Sequence, residues 1–420
     1  MANKMIKQLL LTAFFCVNII AEEEPMTLEK AMELSKNISY DQKTILEDLK
    51  NDKLNLKTLK NDFYPDIFID AQYGREKNDG NIVNDTFGYI VWKNKLYDSK
   101  ENILHDDFKY SIANNELLLK QSLLMRKILV MESFFDTSLS FLYQQYTLEQ
   151  LAMDAIYSIR AKDYYPSGRV SDVELAEKDS KMQMASAKNF TAEENIYINR
   201  LKLANLLEID ASKLQEVEKP KLGHYFEKEI PNSQILLKQA IENDLYLKGL
   251  NQRLTYLQKK LSQTKNSLNI KVDSTMIYGN EPQKTINDED NRWEARLSLK
   301  IPLYDSEKTN NEVEKIRIDI SKQKIAIEKY IVELNQKIEK FISKLKYLQK
   351  MDKAYAKELD YRNLYLERAR LSYELNKQSD IGDSMVAHTK AEYEYMKNRY
   401  DFVVSYELLN LLIGENNEKK

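Results

Sequence analysis

The residues Leu96-Tyr97-Asp98-Ser99 recur as Leu303-Tyr304-Asp305-Ser306, 207 positions further along the chain. Each copy closes a segment that alternates apolar and polar residues. Each also lies within or at the head of a long segment without Gly or Pro, 89–165 in one case and 303–381 in the other. Other landmarks return at nearly the same offset. Asn61-Asp62-Phe63 recurs loosely as Asn266-Ser267-Leu268, Tyr73-Gly74 as Tyr278-Gly279, and Asn205-Leu206-Leu207 as Asn410-Leu411-Leu412. A spacing of roughly 205–208 residues is far longer than a solenoid unit. The chain therefore reads as a duplicated half-protein, and its working form as something built from two similar halves.

The long segments read as helices. In the second, Ile327, Ile331, Leu334, Ile338, Phe341, Leu345 and Leu348 alternate spacings of four and three, a heptad seam, with Lys and Glu filling most positions between. A helix over 306–375 would extend roughly 100 Å at 1.5 Å per residue, which suits a rod or tube better than a globule. Only 9 Gly and 7 Pro occur in 420 residues, and 31% are charged, as expected where turns are scarce. The net charge is -3, with acids and bases interspersed and no basic block. That balance argues against nucleic acid as a partner.

The segments before the long helices alternate with period two, the mark of strands. From Trp293 to Leu303 one face carries Trp293, Ala295, Leu297, Leu299, Ile301 and Leu303, and the other Arg292, Glu294, Arg296, Ser298 and Lys300. The preceding segment sets Leu268, Ile270, Val272, Ser274, Met276 and Tyr278 against Asn269, Lys271, Asp273 and Thr275. In the first half, Ile67, Ile69, Ala71 and Tyr73 alternate cleanly, but Ile90 and Trp92 fall opposite Phe87 and Tyr89. Such strands fit either a half-buried soluble sheet or a transmembrane barrel with its apolar face to lipid. Four strands cannot close a barrel, so the second reading demands several chains.

The chain begins with Lys4 and Lys7, the apolar run Leu9–Val17, and Ile19-Ile20-Ala21 before Glu22. This describes a secretory signal peptide over 1–21. The run is short for a membrane anchor. Cys16, the single cysteine, would leave with the signal, and lipidation there is disfavoured by Phe14 and Phe15. No disulfide or thiol chemistry is then expected in the mature chain.

No catalytic constellation is present. His105, His224 and His388 are widely separated, without partners at metal-ligand spacing. No Gly-rich phosphate loop and no nucleophile elbow occurs. Met182 and Met184 read as ordinary helix packing. The expectation is a protein that is not an enzyme and needs no cofactor or metal.

The expected layout follows the duplication. A first repeat covers 22–215, with strands at about 66–74 and 86–97, a long helix at about 98–165 and a return helix at about 171–207. A linker occupies 216–232. The second repeat covers 233–414, with strands at about 268–279 and 292–304, a long helix at about 306–375 and a return helix at about 380–412. Residues 415–420 form a polar tail. Each repeat begins with a helical stretch, roughly 27–61 and 233–266, with Thr27 and Ser233 as N-caps. The first turn, Pro166-Ser167-Gly168-Arg169-Val170, leads to Ser171 with Glu174 three residues on, a capping box. The second is Asn376-Lys377-Gln378, with Ser379 as N-cap and Asp380 in the first turn.

This order, occurring twice behind a signal peptide, resembles the TolC-type outer membrane efflux proteins. The phrases that carry the likeness are Thr27-Leu28-Glu29-Lys30-Ala31 with Asn37, Phe63-Tyr64-Pro65-Asp66, and Leu299-Lys300-Ile301-Pro302-Leu303-Tyr304-Asp305. To these are added Gly168-Arg169-Val170-Ser171-Asp172-Val173 and the repeat ends Asn205-Leu206-Leu207 and Leu411-Leu412-Ile413-Gly414. The likeness spans essentially the whole mature chain. It implies a mainly α chain with a small β part, acting as a homotrimer. Three chains would share a twelve-stranded outer-membrane β-barrel that continues into a long periplasmic α-helical barrel. The implied partners are outer-membrane lipid, a periplasmic adaptor, and an inner-membrane pump of RND or ABC type. The implied function is a passive exit duct for efflux or type I secretion, with a soluble periplasmic coiled-coil adaptor or scaffold as the alternative.

The resemblance also nominates residues. Tyr373 aligns with a tyrosine of the family's closed constriction. Two positions that are often aspartate fall here on Gly382 and Met385, while Asp380 and Asp383 stand close by. Gln378 takes the place of a basic gate residue. The pore-constriction candidates are therefore Tyr373, Gln378, Asp380 and Asp383. Gly168, Arg169, Ser171 and Glu174 are the candidates for adaptor contact at the first turn.

Overall fold

The computed structural model describes residues 25–78, 81–214, 216–220, 222–226, 229–266, 269–280, 291–375 and 380–414. The signal segment 1–21, Gln378, Ser379 and the tail 415–420 lie outside them, as do Gly80, Leu268, Pro282 and Asn287.

The elements run α1 (Leu28–Leu34), α2 (Tyr40–Asn61), β1 (Asp66–Asn78), β2 (Asn81–Asp98), α3 (Glu101–Tyr164) and α4 (Asp172–Leu207). They continue with α5 (Gly223–Phe226), α6 (Ser233–Asn243), α7 (Leu245–Asn266), β3 (Lys271–Asn280), β4 (Asn291–Lys300), α8 (Lys308–Glu374) and α9 (Ile381–Ile413). The order helix, helix, strand, strand, long helix, helix thus occurs twice. α3 has 64 residues and α8 has 67.

The opening helical stretches are each broken in two. Ser39 ends the first break by capping α2 in a reciprocal capping box with Gln42. Asp244 breaks the second, its Oδ1 accepting from Leu247 N at 2.7 Å. Both side chains satisfy amide donors that a continuous helix would have bonded to carbonyls. Thr27 caps α1 through Lys30 N. In the second half Asn232, one residue before the expected Ser233, accepts from Gln234 N at 3.1 Å.

Two compact units cut across the sequence halves. One comprises Arg126–Ile230, Ser343–Leu408 and the described residues up to Asn37. The other comprises Ile38–Met125, Pro231–Ile342 and the described residues from Leu409.

The first unit is helical. Its core joins Phe134, Phe135, Leu203, Leu207, Leu214, Tyr400 and Val403. The Phe135 and Tyr400 rings stack at 4.3 Å, and the Tyr400 hydroxyl lies 3.1 Å from that of Ser138. Each large side chain buried here contributes about 1.5–3 kcal/mol. Met26 pairs in parallel with Val217 and so draws the segment after α4 against the chain's early residues.

The second unit carries one antiparallel sheet in the order β1-β2-β3-β4. Strands from the two sequence halves meet at its centre, Ile90 opposite Tyr278 and Trp92 opposite Met276. The register resolves the irregular pattern of the first half. Ile67, Ile69, Ile90, Trp92, Met276, Tyr278, Trp293, Leu297 and Leu299 share one face, because directly paired residues point the same way. Phe87, Tyr89 and Val91 belong to the opposite face, with Asp70, Lys93, Asp273, Thr275, Glu294 and Arg296. β4 ends at Lys300, short of the expected Tyr304, and β3 begins at Lys271 rather than 268.

Candidate functional site

The sheet's apolar face is uncovered in this chain. Ile69 is 77% exposed, Trp293 78% and Leu297 70%. An apolar face of this extent on a protein surface calls for another apolar phase or partner. Lys93, Lys95, Asp273, Glu294, Arg296 and Lys300 supply charge to the other face. Among the described residues, β1 and β4 each have one edge without a partner strand. Among the described residues, no helix is long and apolar enough to cross a membrane.

The nominated turn residues that are described, all but Gln378, lie in the helical unit. After α3, residues Tyr165–Ser167 form a 3-10 turn that ends on Gly168 at φ 70. That left-handed conformation suits glycine and strains other residues. Gly168 N donates to Tyr165 O at 3.0 Å, and Arg169 sets its guanidinium 5.7 Å from the Tyr164 ring centre. Ser171 Oγ accepts from Glu174 N at 3.2 Å, which fixes the start of α4. A hydrogen bond to Asp172 raises the Tyr165 phenol pKa. Arg169, Ser171 and Glu174 are all exposed.

At the second turn, Ser384 N donates to Asp380 O at 3.0 Å, so Asp380 stands at the start of α9. The structure separates the two aspartates by partner. The Tyr365 hydroxyl on α8 donates to Asp380, whereas the Tyr157 hydroxyl on α3 donates to Asp383. The bond to Asp383, with burial adding, pushes the Tyr157 pKa up to about 12. The bond to Asp380 raises that of Tyr365. Tyr373 sits near the end of α8 and is 64% exposed.

Sequence reasoning named the acceptors and missed both phenol donors. Tyr157 is 226 residues from Asp383, and no local pattern announces such a pairing. The contact belongs to a longer seam between α3 and α9. Thr389 Oγ1 donates to Glu149 Oε2 at 2.6 Å, and the Tyr143 and Tyr393 rings lie 5.2 Å apart. A groove of about 430 Å³ opens beside it, with Tyr146, Gln150, Tyr355, Asp383 and Glu394 in its lining. On the other side of α3, Ser158 and Lys162 both bind Asp179 of α4 and hold its carboxyl below the usual range.

Among the described residues, no group of three His, Cys, Asp or Glu side chains converges as a metal site.

No protein-family model and no curated protein sequence matches the chain. Solved structures do match it. The outer membrane channel CmeC of Campylobacter jejuni aligns over 94% of this chain and 87% of its own, with a TM-score of 0.71 and 13% identity. CusC, described in connection with transmembrane channel formation, aligns over 92% of both chains at TM-score 0.69 and 13% identity. The open state of the Neisseria gonorrhoeae outer membrane channel MtrE aligns over 92% of this chain and 88% of its own, at TM-score 0.65 and 13% identity.

The chain therefore has the fold of the TolC-type outer-membrane channels. These neighbours are described as channels rather than enzymes, which fits the absence of a catalytic constellation in the sequence. The alternative of a soluble coiled-coil adaptor is not favoured, since both halves deliver strands to a single sheet with an uncovered apolar face.

Proposed function

We propose that the protein is one subunit of a homotrimeric outer-membrane duct that gives passive passage from an inner-membrane pump and periplasmic adaptor to the outside. The system served is of the tripartite efflux or type I secretion kind. The observation that carries this reading is the four-stranded sheet, apolar on one face, charged on the other, and without a partner strand at either edge among the described residues. Three such sheets joined edge to edge make twelve strands with no free edge, an apolar wall toward lipid and a polar lumen. The paired halves 22–215 and 233–414 are then structural repeats, joined by 216–232, behind the signal peptide 1–21. α3 and α8, both too long for an ordinary globule, continue into the wall of a periplasmic tunnel.

In this reading Tyr373, Asp380 and Asp383 mark the constricted end of the tunnel, together with Gln378. Gly168, Arg169, Ser171 and Glu174 present the adaptor-contact turn. The Tyr157–Asp383 bond supports a latch between α3 and α9. Tyr157→Phe removes one hydroxyl and is expected to raise the open fraction of channels in planar bilayers severalfold.

The pH dependence has a definite sign. A phenol whose pKa is raised on folding favours the closed contact below its ordinary value of 10.0, and the contact is lost as pH rises through about 12. Absorbance titration of wild type against Tyr157→Phe should differ by one phenol titrating near that upper value.

The decisive experiment is purification of the mature chain. A detergent-dependent trimer that conducts in bilayers is expected, and a soluble monomer purified without detergent would sink the proposal.

A further inference from the structure

Beside the Tyr157–Asp383 bond, α3 and α9 also meet where Met153 faces Gly382. A Cβ built on Gly382 would overlap Met153 Sδ, and would lie 2.7 Å from Met153 Cε and 3.3 Å from its Cγ. The thioether thus fills the space that any side chain at 382 would need. Met153 lies four residues before Tyr157 on α3, and Gly382 lies one before Asp383 on α9, so the two contacts stack on one helix face. Methionine is suited to such a notch, being unbranched and polarizable.

We propose that Met153 is a packing bolt, seated in the notch at Gly382, that positions α3 against α9 in the closed state. The inference rests on the duct reading above and deepens it. It gives a physical reason why position 382 holds no side chain: a carboxylate there would expel the thioether. Met153 has three rotatable bonds, so Gly382→Ala need not displace either helix. It displaces the bolt, and Met153→Ala removes it. Both variants delete the same contact by different routes.

The test uses the purified full-length trimer in planar bilayers and reads open fraction and open-state conductance separately. Met153→Ala and Gly382→Ala should each raise the open-to-closed ratio about tenfold, with unchanged open-state conductance and unchanged trimer on a sizing column. The double variant should open no more than the stronger single one, because one contact cannot be lost twice. Met184→Ala, at an exposed position on α4, should behave as wild type. Open fractions equal to wild type in both single variants, or effects that add in the double variant, would overturn the bolt. If wild type itself carries no current, it is the duct reading that fails. If wild type conducts and the Met153 and Gly382 variants match it, only the bolt is wrong.

Discussion

Leu96–Ser99 and Leu303–Ser306 have the same four residues and different structures. In the first, the strand persists: β2 runs through Asp98, which pairs with Lys271, and Ser99 N donates to Ile270 O at 3.0 Å. Asp98 Oδ1 then accepts from Lys100 N at 3.0 Å, and α3 begins at once. In the second, β4 has already ended at Lys300. Leu303 is 98% exposed, and Ser306 and Glu307 adopt left-handed conformations at φ 57 and 63. Asp305 Oδ2 there accepts from Thr309 N at 2.9 Å, two residues further along than the equivalent bond in the first copy. The difference follows from neighbours. β2 has a strand on each side, so the ladder holds its backbone to the end. Among the described residues β4 has only β3 beside it, and Pro302 supplies no N–H to prolong the pairing.

This contrast can be broken most severely at the sheet's central pairing. A Cβ on Gly279 would overlap the Gly88 carbonyl oxygen and lie 2.7 Å from Tyr89 Cα, whereas nothing lies within 4 Å of one on Gly88. Gly279→Ala must therefore shift backbone, at about 1–3 kcal/mol, and Gly88→Ala should be tolerated. The fraction of heat-resistant folded protein on gels separates the two. Equal behaviour would show that β2–β3 pairing does not hold the first junction.

A smaller effect is expected from the aspartates. Asp305→Ala should lower the melting temperature more than Ser306→Ala, because the carboxylate closes the turn while the serine caps nothing. Hydrogen exchange should localise the loss to the first turn of α8. Protection unchanged there would remove Asp305 from the capping role.

The smallest change is a gain. Glu307→Gly relieves a left-handed residue and should stabilise by about 0.5–1 kcal/mol. Lys100→Gly in the other copy, which has no such conformation, should not stabilise. Matched denaturant melts decide it, and a gain in both would mean the two junctions are alike.

Much of the fold was legible because its signals are local. The freedom from Gly and Pro and the heptad spacing announced α3 and α8, and Leu334, Ile338, Leu345 and Leu348 of the seam are buried as that spacing requires. The strict alternation of Trp293–Leu299 announced β4. The break at Ser39 had a readable sign, Gln42 three residues on, which the long-helix pattern concealed. The first-half strands looked irregular because Phe87, Tyr89 and Val91 place apolar side chains on the charged face, and only pairing with β1 and β3 shows which face each residue joins. At the candidate site, Asp380 and Asp383 were readable as acids near a turn. Their tyrosine partners were not, since hydrogen bonds between separate helices leave no trace in spacing.

The sequence by itself determined which segments are helix and strand and that the pattern occurs twice. Periodicity and turn chemistry act over a few residues, so they survive in the order of amino acids. Tertiary structure decided the rest: where β2 and β4 stop, that strands of both halves share one sheet, and that Tyr157, Met153, Gly382 and Asp383 meet. Those outcomes depend on which backbone lies alongside, and one four-residue phrase with two conformations shows that the phrase does not carry that information.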